Sequence, residues 1–275
     1  NSYRSILELW KDKMGLIQVK ETENQYTYFG TIMEPVIKKE FMKRTGLKVR
    51  AKNCILQSDE YPFMLADIDG IVKELDGSYS LFEAKTASAY KQEVWQTGIP
   101  QEYMAQVQHY LCVTGFQKAY VCAIVGGNTY YCHEIYRDEA YIKELVEKEQ
   151  AFWNCVVTEI APNVDGSKAT IEFLNQCYPK SNKTETELPQ QAEAFVESYL
   201  KIEEDIKALT EEKNRLANCL KELLREYEKG YIGNHVVKWT TIEKHSLDSK
   251  KVKEILGSHY ETCLTTSSYR KFSVA

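Results

Sequence analysis

Apolar residues recur at helical spacing in several stretches of the N-terminal half, separated by segments that alternate instead. "SILELWKDKMG" (5–15) reads as a short amphipathic helix stopped by Gly15, and "YFGTIMEPVIKKEFMKRTG" (28–46) as a longer one ending at Gly46. In the second, Ile32, Val36, Ile37 and Phe41 are expected on one face, and Pro35 should kink the helix or mark its first turn. Three strands are expected next, Leu47–Leu56, Phe63–Glu74 and Tyr79–Lys85, the last two joined around Asp76-Gly77. A helix from Pro100 to Thr114, a strand pair within 119–136 turning at 126–128, and an amphipathic helix over 138–157 complete this part. Residues 162–189 are polar and rich in turn formers, as expected of a linker. Beyond it, apolar residues at 199, 202, 206, 209, 216, 220, 223 and 227 follow a heptad interrupted by Lys213. That spacing fits a coiled coil, or a long helix laid on its own domain. The final residues alternate over Val236–Ile242, pass through a helix near Lys250–Leu256 and end on a strand-like "YRKFSVA".

Against this pattern one segment stands out. "MLADIDGIVKELDGSYSLFEAKTAS" (64–88) places Asp67, Asp69, Glu83 and Lys85 in what otherwise reads as a buried β-hairpin. Buried charge is costly unless paired or bound to a metal. Glu83 and Lys85 are two apart on a strand and share a face. A two-residue turn at Asp76-Gly77 would put Asp69 opposite Ala84, on the other face; a loop with an odd residue count, or a bulge at Gly70, would bring it to Glu83 and Lys85. Two carboxylates with a backbone carbonyl, such as that of Ala84, suit a hard divalent cation. A lysine beside them can orient the attacking water or offset charge on a phosphoryl oxygen. The alternative is a structural ion pair at a strand end. Gln106 and Tyr110, at i and i+4 on one helix face, can hydrogen-bond such a site or simply satisfy each other. Glu34 is a carboxylate among apolar residues.

Composition changes this picture little. The 275 residues are 43% hydrophobic and 27% charged with net charge −5, ordinary values for a globular protein. No apolar stretch reaches membrane-spanning length and no signal-peptide pattern opens the chain. The eight cysteines form no CxxC pair and read as reduced small hydrophobes, which argues against a zinc or iron–sulfur site. Charge is unevenly spread: "KKEFMKRTGLKVRAK" (38–52) carries seven Lys or Arg against one Glu. Lys38, Lys39, Lys43, Arg44, Lys48 and Arg50 are candidates for contact with a nucleic-acid backbone, the alternative being a solvated face.

In chain order, Glu34, Asp69-Gly, Glu83-Ala-Lys85 and Gln106-x-x-x-Tyr110 resemble the nuclease core of the PD-(D/E)xK superfamily. More narrowly, "NSYRSILELW", "EPVIKKEF", "EYPFMLADIDGIV", "FEAKTAS" and "GIPQEYMAQVQHYLCVTG" resemble the branch of lambda exonuclease and YqaJ-type viral recombinases. The resemblance implies an α/β (α+β) restriction-endonuclease-like core over 1–161, a mixed central sheet flanked by helices. A linker over 162–189 and a helical C-terminal extension over 190–275 would follow. It implies Asp69, Glu83 and the Ala84 carbonyl as ligands of Mg²⁺ or Mn²⁺, two ions per site, with Glu34 serving the second. Lys85 would serve the attacking water, and Gln106 and Tyr110 would support the site and the DNA strand. Asp67 has no counterpart and is expected to support the site or face solvent.

The implied activity is digestion of linear double-stranded DNA from its ends, 5′ to 3′, releasing 5′-phosphorylated nucleotides. The 3′ tails left would pass to a single-strand annealing protein for recombination. A trimeric ring and a phage or prophage origin, in the cytoplasm of a bacterial host, are implied as well. Family members carry an N-terminal segment that contacts the terminal 5′-phosphate; the chain, which does not open on Met, is expected to start just after it. Two other functions fit the same residues: an endonuclease of the superfamily, distinguished by independence from DNA ends, and a non-catalytic end-binding scaffold that docks an annealing partner through the 190–229 helix.

Overall fold

The computed structural model describes residues 4–18 and 24–274. Helix α1 (Ile6–Lys13) is capped by Ser5, whose hydroxyl accepts from the Glu8 N–H at 3.0 Å. Helix α2 (Gln25–Thr45) starts a turn earlier than its apolar pattern suggests, because Asn24 and Thr27 form a reciprocal cap. Pro35 therefore lies in the helix interior, where it withholds one backbone donor. Gly46 ends the helix in the left-handed region, with φ 73°. Of the face expected to be apolar, Ile37 and Phe41 are fully buried while Ile32 and Val36 are exposed.

The sheet has five strands in the order β1 (Lys48–Arg50), β4 (Gly70–Lys73), β5 (Tyr79–Ala87), β6 (Lys118–Val125) and β7 (Thr129–Tyr136). β5 and β6 run parallel and the other neighbours antiparallel. A parallel pair needs a crossover, here supplied by a 3₁₀ turn (Ala89–Lys91), α3 (Gln92–Thr97) and α4 (Gln101–Thr114). The two long strands expected over 47–56 and 63–74 are each broken. β2 (Leu56–Gln57) and β3 (Leu65–Ala66) leave the main sheet to form a small ladder of their own.

Alternation along β6 divides the core. Ala119, Val121, Ala123 and Val125 face α4 with Leu81, Val107, Leu111 and Trp95, whereas Tyr120 and Cys122 face α2 with Phe82, Val72, Ile37 and Phe41. Helix α5 (Glu139–Val157), N-capped by Asp138, follows β7. A mixed central sheet flanked by helices is the α/β arrangement expected from the sequence.

Contacts divide the chain into two compact units, meeting at Leu174–Asn175. The segment expected to be a linker contains α6 (Lys168–Cys177), whose Ala169, Thr170 and Phe173 are buried. The second unit holds α7 (Ala192–Leu224), a hairpin of β8 (Lys229–Ile232) and β9 (His235–Lys238), and α8 (Ser249–Leu256). Residues 264–274 carry no strand, and Ala275 lies outside the described residues. Only Cys122 among the eight cysteines is buried, so Cys54, Cys132, Cys219 and Cys263 do not act as core hydrophobes. No described helix is long and apolar enough to cross a membrane.

Candidate active site

The register of β4 against β5 decides where Asp69 goes. Gly70 pairs with Phe82 and Lys73 with Tyr79, and Glu74 and Ser78 close a three-residue loop over 75–77. The loop count is odd, and Gly77 supplies its left-handed residue at φ 86°. Continued one step, this register sets Asp69 beside Glu83, on the face that also carries Lys85, with no bulge required. Gly70 allows the close approach of β1: a Cβ there would lie 2.6 Å from Val49 Cγ1 and 3.0 Å from the Arg50 carbonyl oxygen.

Strand β5 outruns β4 at this point, so the edge beyond Phe82 is open on the β4 side. Asp69 Oδ2 fills part of it by accepting from the Ala84 N–H at 2.7 Å. In an extended strand the N–H and C=O of one residue point to the same side, which turns the Ala84 carbonyl toward Asp69. From α2, Lys38 Nζ donates to the Asp69 carbonyl oxygen at 2.8 Å and lies 3.4 Å from Glu34 Oε1. From α4, Gln106 Nε2 donates to Glu83 Oε1 at 3.2 Å and contacts the Tyr110 hydroxyl at 3.0 Å. Lys85 Nζ takes the same Glu83 oxygen at 2.7 Å and lies over the Tyr103 ring at 5.0 Å.

Glu34, Asp69, Glu83, Ala84, Lys85 and Tyr103 line a cleft of about 850 Å³ together with residues of the first turns of α2 and the Gly126-Gly127 turn. Gln106 and Tyr110 sit behind Glu83. Asp67 is exposed.

The electrostatics are unbalanced. Burial pushes the Glu83 carboxyl up to about 7, against the pull of Lys85 and with added repulsion from Asp69. Asp69 is also raised, chiefly by burial, although the Ala84 N–H favours its charged form. Burial acts to lower Lys85, but the Glu83 carboxylate outweighs it and the ammonium is held more firmly than usual. Glu83 Oε2 is buried with no hydrogen-bond partner. A buried carboxylate oxygen without a donor is expensive. Together with Asp69 and the Ala84 carbonyl it makes an all-oxygen donor set of the kind hard cations take. These residues fit a divalent metal held with retained waters. Among the described residues no group of three His, Cys, Asp or Glu side chains is close enough to form a complete protein cage.

The basic stretch behaves less uniformly than its composition suggests. Lys38 is committed to the site. Arg44 pairs with Glu40 at 2.7 Å and lies 4.5 Å over the Tyr130 ring. Lys39, Lys43, Lys48 and Arg50 are exposed.

Two supporting residues escape sequence reasoning. Tyr103 shares the helical face of Gln106 and Tyr110, at three and seven residues' distance, a signal present in the sequence. His109 has no such signal: its Nδ1 meets Glu149 of α5 at 2.8 Å and its Nε2 the Leu65 carbonyl at 2.9 Å, tying α4 to the strand that leads to Asp69.

A family model described as YqaJ-like viral recombinase domain matches residues 1–117. The protein YqaJ of Bacillus subtilis (strain 168), itself uncharacterised, is 36% identical over 279 residues, covering 100% of this chain and 86% of that one. Among solved structures, an alkaline exonuclease (LHK-Exo) from Laribacter hongkongensis is 24% identical with a TM-score of 0.49, over 62% of this chain and 82% of its own. A phage related exonuclease from Haemophilus somnus 129PT is 15% identical with a TM-score of 0.43, over 57% and 82% respectively. On the full-length match to YqaJ and the domain match before it, this chain belongs to the YqaJ-like viral recombinase family.

Proposed function

We propose that the protein is a Mg²⁺-dependent DNA exonuclease that digests linear duplexes from their ends, 5′ to 3′, and leaves 3′ tails for recombination by strand annealing. The observation that carries this reading is the partnerless, buried Glu83 Oε2 beside Asp69 and Lys85 at the open end of β5. Membership of a viral recombinase family supports DNA as the substrate.

Asp69, Glu83 and the Ala84 carbonyl would hold the ion, with Glu34 of α2, next to them through Lys38, available to a second. When bound, the metal lowers the pKa of water and offsets charge on the phosphoryl oxygens. Water attacks phosphorus and the P–O3′ bond breaks; the water's proton passes to solvent and the leaving O3′ takes one up. A 5′-phosphorylated nucleotide with a 3′-hydroxyl thus departs, and a new 5′-phosphate stays on the shortened strand. Lys85, kept protonated by Glu83, orients the attacking water and stabilises charge on the phosphate rather than removing a proton. Gln106 fixes Glu83, and Lys38 fixes the Asp69 backbone and Glu34. Lys39, Lys43, Lys48 and Arg50 would neutralise DNA phosphates without reading sequence. A single-strand annealing protein would receive the product, a ring of three copies would retain the duplex, and the bacterial cytoplasm would be the setting.

The test is digestion of end-labelled linear duplex, with closed circles and Lys85→Ala protein alongside. Mg²⁺-dependent shortening from the 5′ side, circles spared and the variant inactive, is the expected result. Cut circles would replace exonuclease by endonuclease, and end binding without cleavage in any condition would leave a scaffold.

A further inference from the structure

Helix α7 is about 50 Å long at the usual rise, yet Leu224 is its only buried residue among those described. Ile202, Ile206, Leu209, Leu216, Leu220 and Leu223 follow one heptad seam, and all are exposed, Leu209 at 70% and Leu223 at 78%. Scattered exposed leucines need no explanation, but a continuous stripe over several turns marks a contact surface. In its own unit, Tyr199 meets Phe272 at one end of the helix and Lys221 lies over Trp239 near the other. The seam between stays open.

The charges say what kind of helix fits. With Ile202, Leu209, Leu216 and Leu223 at one core position and Ile206, Lys213 and Leu220 at the other, the flanking positions carry Glu203, Asp205, Glu212 and Glu226 and no Lys or Arg. A second copy in parallel register would set Lys213 against Lys213 and offer no opposite charge across the seam. An antiparallel copy would set acid against acid.

We propose that α7 docks an amphipathic helix of another polypeptide. Its apolar seam would be flanked by Lys or Arg, with a carboxylate at the core position facing Lys213. This inference is independent of the nuclease reading.

The test uses the full chain and synthetic peptides of about four heptads. One has Ile and Leu core positions, lysine flanks and a single core Glu; the second has glutamate flanks; the third scrambles the first. By fluorescence anisotropy the first should bind about tenfold or more tightly than either control. Ile206→Asp with Leu209→Asp should weaken it by a similar factor, with unchanged helix content by circular dichroism. Lys213→Ile should weaken the first peptide, whose core Glu then loses its partner, and tighten a fourth that carries Leu in place of that Glu. Failure of the first peptide to bind, or equal binding of the scrambled one, overturns the proposal. So does sedimentation of the full chain as an oligomer that the double substitution dissociates, which would make the occupant a second copy.

Discussion

Glu83 costs the metal-free protein stability at neutral pH, and under the proposed function that cost is offset by its use at the metal. Its carboxyl is raised to about 7 by burial, so the metal-free protein binds a proton there that the unfolded chain has lost above about 4.5. That favourable contribution is complete below the unfolded value and disappears as pH rises through 7. The shift corresponds to something on the order of 3 kcal/mol. Metal-free Glu83→Gln protein is therefore expected to melt higher than the parent at pH 8 and to differ little at pH 5, as scanning calorimetry with chelator can check. Under the proposed function the same proton would compete with the ion, so Mg²⁺ affinity measured by titration calorimetry is expected to rise up to about pH 7 and level off above it. Lys85→Ala should lower the cleavage rate by about 10²–10⁴-fold while duplex binding in Ca²⁺ is retained; equal loss of both would move Lys85 out of the chemistry.

Among the elements, α2 has the most divided role. Its C-terminal half buries Ile37 and Phe41 against the sheet, while Glu34 lines the cleft and Lys38, between the two core residues, bonds the Asp69 carbonyl. Phe41→Ala should cost about 3–5 kcal/mol in urea denaturation, because Phe82 and Tyr120, with ring centroids at 5.2 and 4.9 Å, cannot close the space. Gly70→Ala tests the neighbouring strand: its methyl would press on Val49 and the Arg50 carbonyl. A loss of about 1–3 kcal/mol is expected, with reduced Mg²⁺ affinity because the displaced residue adjoins Asp69.

For the molecule as a whole, net charge −5 conceals a short segment in which Lys39, Lys43, Lys48 and Arg50 are all exposed. Replacing Lys39, Lys43 and Lys48 by Gln should flatten the dependence of log K on log salt by up to about 0.9 for each phosphate no longer neutralised, with the rate at saturating DNA preserved. An unchanged slope would place the duplex elsewhere.

Much of this was readable from residue order. Helix ends were marked by Gly15 and Gly46, the charged hairpin by its misplaced acids, and the Gln106–Tyr110 pair by its i, i+4 spacing, because these signals are local. The order of chemistry-bearing residues sufficed to suggest the family. Other outcomes depended on contacts between distant segments. Whether Asp69 meets Glu83 rested on a loop count that two neighbouring turn types could satisfy. Lys38 looked like any surface lysine until α2 crossed the end of β4. Ile32 and Val36 fitted a helical stripe whose far half the sheet does not reach, and residues 168–177 looked like linker although α6 buries Phe173. Sequence by itself determined where backbone hydrogen bonds close within a few residues and which side chains can do chemistry. Tertiary structure alone decided which of them share a low-dielectric pocket, because burial and the field of neighbouring charges arise between segments that only folding brings together.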